Sequence, residues 1–183
     1  TVSMFDVLGA VVAALDRAQI PHMVSGSIAS ARHGEARSTQ DIDLVIDPTE
    51  RQMEALLLEL DRPNYYVGDG LRALSERSQF YVIDTTTGWK VDLMIRRDRP
   101  FSVVEFARRS AVDLGGVRCS IVSPEDSILS KLEWASSSRS ERQLRDVRSL
   151  VDLRRDELDW EYLRHWAGEL GIGDLLTEVA YDR

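Results

Sequence analysis

The run Asp41-Ile42-Asp43-Leu44-Val45-Ile46 constrains this chain more than any other stretch of it. Ile42, Leu44 and Ile46 alternate with their neighbours, the period-two pattern of a strand with one buried face. Asp41 and Asp43 then point the same way, and two like charges side by side need a compensating cation or a proton. A second apolar run, Trp89-Lys90-Val91-Asp92-Leu93-Met94-Ile95, is interrupted in the same manner by Asp92, whose burial unpaired would be costly. If the two strands are neighbours, three carboxylates share one face. A trio of hard oxygen donors suits Mg2+ or Mn2+ rather than zinc. The plainer reading, an edge strand with a solvated polar face, fits the alternation as well.

The rest of the chain places these strands in an α+β fold. Phe5, Leu8, Val11, Val12 and Leu15 recur at helical spacing over residues 4–18. A short strand is expected over 22–25, then a turn at Gly26-Ser27 and a short helix over 28–33 that Gly34 ends. A second helix follows over 49–60, then a strand over 65–67 and a helical turn over 71–76. Two strands, 80–83 and 89–95, join through an Asp-Thr-Thr-Thr-Gly hairpin loop. Another strand is expected within 103–114 and one over 117–122. From Ser123 the texture changes: Ser123-Pro124-Glu125-Asp126 reads as an N-cap, a proline in the first turn and acids near the positive end of the helix dipole. Helices are expected over 124–135, 141–154, 160–170 and 174–181, with Ser136-Ser137-Ser138 separating the first pair. The organisation expected is thus a mixed domain over 1–122 and a helical region over 123–183.

Composition excludes several functions. The 183 residues carry a formal charge of −8, which argues against a protein that coats a nucleic-acid backbone. No apolar run approaches a membrane span, and the first residues lack a signal-peptide pattern, so no membrane association and a cytoplasmic location are expected. A single cysteine, Cys119, excludes an internal disulfide and a multi-cysteine zinc site, and its apolar neighbours mark it as a packed strand thiol. His22, His33 and His165 have no close zinc-ligand spacing. The four tryptophans fit core or interface positions better than base-stacking ones. Only two of the 23 basic residues are lysines, Lys90 and Lys131, which singles both out.

Gly26-Ser27 sits at a strand-to-helix junction, where glycine lets the backbone approach a ligand closely and a helix start offers N–H groups to a phosphate. A glycine-serine turn, a short helix and then Asp-x-Asp on the next strand would bring an anion site beside a cation site. The ordered set Gly26-Ser27, Asp41-Ile42-Asp43-Leu44 and a later Asp92 resembles the DNA polymerase β-like nucleotidyltransferase superfamily. Its form, Gly-Ser-x-Ala-x-x-x-His-Gly-x-x-Arg-x-Thr-x-Asp-Ile-Asp-Leu, looks closest to the minimal and AbiEii-like members. Ser123-Pro124-Glu125-Asp126 through Lys131-Leu132, with Arg145-Asp146 beyond, is similar to the AbiEii-like C-terminal pattern.

The resemblance implies a palm-like mixed sheet flanked by helices, and transfer of a nucleoside monophosphate from an NTP such as ATP to a hydroxyl, releasing pyrophosphate. It implies Asp41 and Asp43 as ligands of two metal ions, Mg2+ or Mn2+, and Asp92 as a ligand of one and the base for the acceptor hydroxyl. Gly26 and Ser27 would hold the triphosphate, with Lys131 close to it. Arg37 would contact phosphate and Asp146 would support the nucleotide site, although Asp146 also stands four residues from Arg142, where a surface ion pair can form. The AbiEii-like form points to tRNA as one acceptor, with an antitoxin protein as partner, while a small antibiotic-like molecule or a protein stays equally open as acceptor. Two alternatives stay open: a catalytically silent nucleotide-binding or regulatory module of the same fold, and a metal-dependent phosphoester hydrolase.

Overall fold

A computed structural model describes residues 2–34 and 41–181. Helix α1, Met4–Arg17, opens with a capping box: Ser3 accepts from the Asp6 N–H while the Asp6 carboxylate accepts from the Ser3 N–H. Strand β1, His22–Val24, leads into α2, Gly26–His33, which starts two residues earlier than expected because Ser25 is already the extended cap residue. Strand β2 is Asp41–Ile46, and α3, Glu50–Leu60, carries a second capping box from Thr49 and Gln52. Strand β3, Tyr65–Val67, α4, Gly70–Glu76, and the hairpin of β4, Gln79–Asp84, with β5, Lys90–Ile95, follow as expected to within two residues at each end.

Helix α5, Pro100–Ala107, was not foreseen. Its Val103-Val104 pair suggested a strand, but Pro100 in the first turn and extended Arg99 start a helix, and the expected strand is confined to β6, Ser110–Leu114. Strand β7 is Val117–Ile121. Helix α6, Pro124–Ser138, runs through the serine triplet expected to end it. Ser137 and Ser138 Oγ donate to the Trp134 carbonyl at 3.0 and 2.7 Å, which satisfies their hydroxyls within the helix. The stop comes at Arg139, in the left-handed region at φ 52°. Helices α7, Glu141–Arg154, α8, Trp160–Glu169, and α9, Gly173–Tyr181, complete the chain.

Among the described residues the strands form one mixed seven-stranded sheet, ordered β3-β4-β5-β2-β1-β7-β6. β2 lies parallel to β5 and antiparallel to β1; β1 lies parallel to β7. Ile42, Leu44 and Ile46 with Val91, Leu93 and Ile95 point to one face and join Leu8, Val11, Leu15, Met53 and Leu56 of α1 and α3 in one apolar cluster. A second cluster gathers Ile128, Leu129, Leu132, Val147, Leu150, Leu163 and Leu176 of α6–α9, with Phe101 from α5. The opposite face of β2 and β5 is left for polar side chains, and α2 and α6 pack beside it. Cys119 is buried, and burial pushes its thiol up to about 11. Trp134, expected to be packed, is 59% exposed; Trp89, Trp160 and Trp166 lie against the two clusters.

Candidate active site

The parallel register of β2 and β5 sets Asp43 directly opposite Asp92 and Asp41 opposite Lys90. Neighbouring strands lie about 4.8 Å apart, so Asp43 and Asp92 are adjacent on one face, with Asp41 one pleat further along it. Asp41 is exposed, Asp43 half-buried and Asp92 buried. Burial first, then the charge of Asp92 and more weakly that of Asp41, pushes the Asp43 carboxyl up; the Ser27 N–H and the Lys131 charge pull the other way.

Gly26 explains how this crowding is tolerated. It sits at φ +61°, and a Cβ there would lie 2.6 Å from Asp43 Cγ, overlapping the carboxylate. With no side chain in the way, the start of α2 closes on β2, and the Ser25 N–H donates to the Asp43 carbonyl at 2.9 Å. The Ser27 N–H donates to the Asp43 carboxylate, so the helix start expected to present unpaired N–H groups gives this one to an acid.

Asp92 is held from one side. Its Oδ2 accepts from Lys90 Nζ at 2.8 Å, while Oδ1 is buried with no hydrogen-bond partner among the described residues. An orphaned carboxylate oxygen is costly and marks a place where a donor or cation belongs. Among the described residues no three acidic, histidine or cysteine side chains are drawn together as a ready metal cage. Lys90 supplies the positive charge there instead, and its bond to Asp92 raises its own proton affinity. The donor set still fits a hard divalent ion: acid oxygens on one face, an orphaned Oδ1 and a backbone stripped of Cβ beside Asp43.

Lys131 lies on α6. It is buried, and its Nζ donates to Gln143 Oε1 and Asp146 Oδ2 of α7, each at 3.1 Å. Asp146 thus receives a buried lysine across two helices. Gly26, Ser27, Asp41, Asp43, Asp92, Lys131 and Asp146 therefore line one region where β2, β5, α2, α6 and α7 meet; Arg37 lies outside the described residues. His33, from α2, ties this region together structurally: its Nε2 meets the Val122 carbonyl at 2.7 Å and Arg154 of α7 donates to its carbonyl.

Three neighbours were given no role by sequence reasoning. Lys90 is two residues from Asp92 on a strand and so on its face, a signal that was present. Tyr81 stands opposite Asp92 on β4, and Tyr66 stacks on it with centroids 5.9 Å apart, both on the open face. Gln143 reaches Lys131 only through the packing of α6 on α7. Asp84, a rival acid, faces the other side and accepts from Thr86 N and Oγ1, as turn chemistry.

The arrangement matches solved structures in fold. The antibiotic-resistance factor ANT(2″)-Ia, solved with adenylyl-2″-tobramycin, superposes at a TM-score of 0.60 with 16% identity over 90% of this chain and 95% of that one. An antigenic nucleotidyltransferase-like protein from Paracoccidioides brasiliensis gives 0.57 and 19% over 94% and 90%. The lincosamide antibiotic adenylyltransferase LnuA, solved with lincomycin bound, gives 0.55 and 11% over 81% and 96%. No protein-family model matches the chain, and neither does any curated protein sequence. At these identities the likeness shows that the chain shares the fold of these proteins.

Proposed function

We propose that this protein is a metal-dependent nucleotidyltransferase that moves a nucleoside monophosphate from an NTP to an acceptor hydroxyl and releases pyrophosphate. The observation that carries the reading is Asp43 set against Asp92 across β2 and β5, with Gly26 stripped of a Cβ beside them and Asp92 Oδ1 left unpartnered. Asp41, Asp43 and Asp92 would hold Mg2+ or Mn2+, which when bound would supply charge neutralisation to an in-line displacement. The acceptor oxygen forms a bond to the α-phosphorus as the bridge to the β-phosphate breaks, and pyrophosphate carries away the bonding pair. Asp92 is the base that takes the acceptor proton. Lys131, fixed by Gln143 and Asp146, holds positive charge beside Asp43 where the triphosphate gathers. The turn at Gly26-Ser27 gives the triphosphate a backbone it can approach closely.

The acceptor follows from charge. A site walled by three acids in a chain of net −8 disfavours an acceptor that lays an extended polyanion across it. A small hydroxyl compound fits, as does the 3′ end of a tRNA, which the AbiEii-like resemblance supports and which needs only a small footprint. Incubation with α-labelled NTPs, Mg2+, a panel of amino-sugar and lincosamide antibiotics and deacylated tRNA distinguishes these. Transfer of label to one acceptor, abolished by EDTA and reduced at least a thousandfold in Asp43→Asn and Asp92→Asn, is expected. Binding of NTP without transfer would support the silent-module alternative, and release of label to water alone a hydrolase.

A further inference from the structure

The transfer chemistry above leaves Lys90 without a task. Its ammonium lies 2.8 Å from Asp92 Oδ2, inside a face whose other charged members are Asp41 and Asp43. Asp41 is its register partner on β2, and the charges of Asp41 and Asp43 both act on it. Tyr81 closes the opposite side, with Nζ 5.7 Å from the ring centroid, a second seat that a cation can take. The bond to Asp92 uses one carboxylate oxygen and leaves Oδ1 buried and aimed elsewhere. A metal ion drawn to Oδ1 therefore meets a fixed positive charge on the far oxygen of the same carboxylate.

We propose that Lys90 is a tethered counter-ion of the acid site, which weakens its affinity for free divalent cations so that metal is retained only together with a triphosphate. Resting on the acid-site reading above, it assigns Lys90 as a positioning residue rather than a catalytic one. The physical reason is direct. Like charges a few ångströms apart inside a protein repel far more strongly than in water, and a divalent ion doubles the effect. Lys90 is 38% exposed in its side chain, so solvent softens but does not remove that repulsion. A triphosphate alters the balance, because its own negative charge attracts the metal ion and the ammonium alike, and Tyr81 offers the ammonium a place beside the carboxylate.

The experiment reads Mn2+ binding by electron paramagnetic resonance, with no turnover involved. Mn2+ alone is titrated into wild type, Lys90→Met, which keeps the aliphatic stem, and Lys90→Gln, which keeps a hydrogen-bond donor to Asp92 without the charge. Both variants are expected to bind Mn2+ at least tenfold more tightly than wild type, with Lys90→Arg close to wild type. With a non-hydrolysable ATP analogue present, the difference is expected to shrink to within threefold. Equal or weaker Mn2+ binding in Lys90→Met, or no detectable binding in either protein, overturns the proposal. Lys90→Gln behaving like wild type overturns it too, since the hydrogen bond and not the charge would then matter. Adding Asp43→Asn to Lys90→Met tests the underlying reading separately: tightened binding that survives it places the ion elsewhere and overturns the acid site itself. Circular dichroism of each variant confirms that the comparison is between folded proteins.

Discussion

Gly26 is a residue whose requirement comes from a strand fifteen positions or more away rather than from its own neighbours. Two constraints fall on it: a left-handed backbone at φ +61° and the Asp43 carboxylate where its side chain would stand. Gly88 in the β4–β5 hairpin shares only the first, at φ +78° with nothing within 4 Å of a built Cβ. Each alanine is expected to cost about 1 kcal/mol for the backbone. Only Gly26→Ala also pushes Asp43 aside, so its transfer rate should fall at least a hundredfold while Gly88→Ala stays within twofold of wild type. Initial rates and thermal melts of the pair check this; equal rates would remove Gly26 from the site. The contrast shows what the sequence could convey at this scale. Alternation put Asp41 and Asp43 on one face, since a period of two is a local property, whereas Asp92 joins them only through the pairing of β2 with β5. The pressure of Gly26 on Asp43 and the burial of Lys131 are properties of packing, and no spacing carries them.

The elements show the same division between local and distant causes. Ser123-Pro124-Glu125-Asp126 starts α6 as its residue types dictate, with Ser123 Oγ accepting from the Asp126 N–H at 3.1 Å. The motif also joins the end of α5 to the start of α8. Fully buried Asp126 accepts from Ser123 Oγ at 2.6 Å, Arg108 Nε at 3.1 Å and Tyr162 Oη at 2.5 Å, while Glu125 accepts from Arg108 and from the N–H of Asp159, the cap residue of α8. Asp126→Ala strands Arg108 and Tyr162 beside a cavity and is expected to destabilise the fold by about 3 kcal/mol in urea unfolding. Tyr162→Phe removes one bond and should cost about 1 kcal/mol, leaving the transfer reaction intact. A loss below 1 kcal/mol in Asp126→Ala would show that the node is solvent-compensated. Sequence reading recovered the cap because its geometry spans four residues. It missed α5, whose C-cap is Arg108, because it looked only for a strand within 103–114 and nothing local announced the partner helix.

At the scale of the molecule, α5 spans both apolar clusters: Phe106 belongs to the sheet's core and Phe101 to that of the helices. Between these anchors lies Glu105, which accepts from Ser130 Oγ of α6 at 2.7 Å. Burial pushes its carboxyl up from 4.5 to about 7, with the Ser130 bond and Arg99 opposing and the Asp126 and Glu133 charges adding to the rise. Arg99 cannot offset that penalty fully, because both its terminal nitrogens are held by Glu133 at 2.5 and 2.6 Å. The sign of the linkage follows. The folded state binds this proton more tightly than the unfolded chain, so the stability it confers is complete below the unfolded value and is lost as pH rises through the folded one. Over the window from 4.5 to about 7 the loss amounts to about 3 kcal/mol, at 1.4 kcal/mol per unit. Glu105→Gln keeps an acceptor for Ser130 and cannot ionise. Its urea-unfolding stability should match wild type near pH 5 and exceed it by about 2–3 kcal/mol at pH 8. Parallel curves for the two proteins across that range would mean that Glu105 stays hydrated in the folded chain and that the junction between the clusters is open to water.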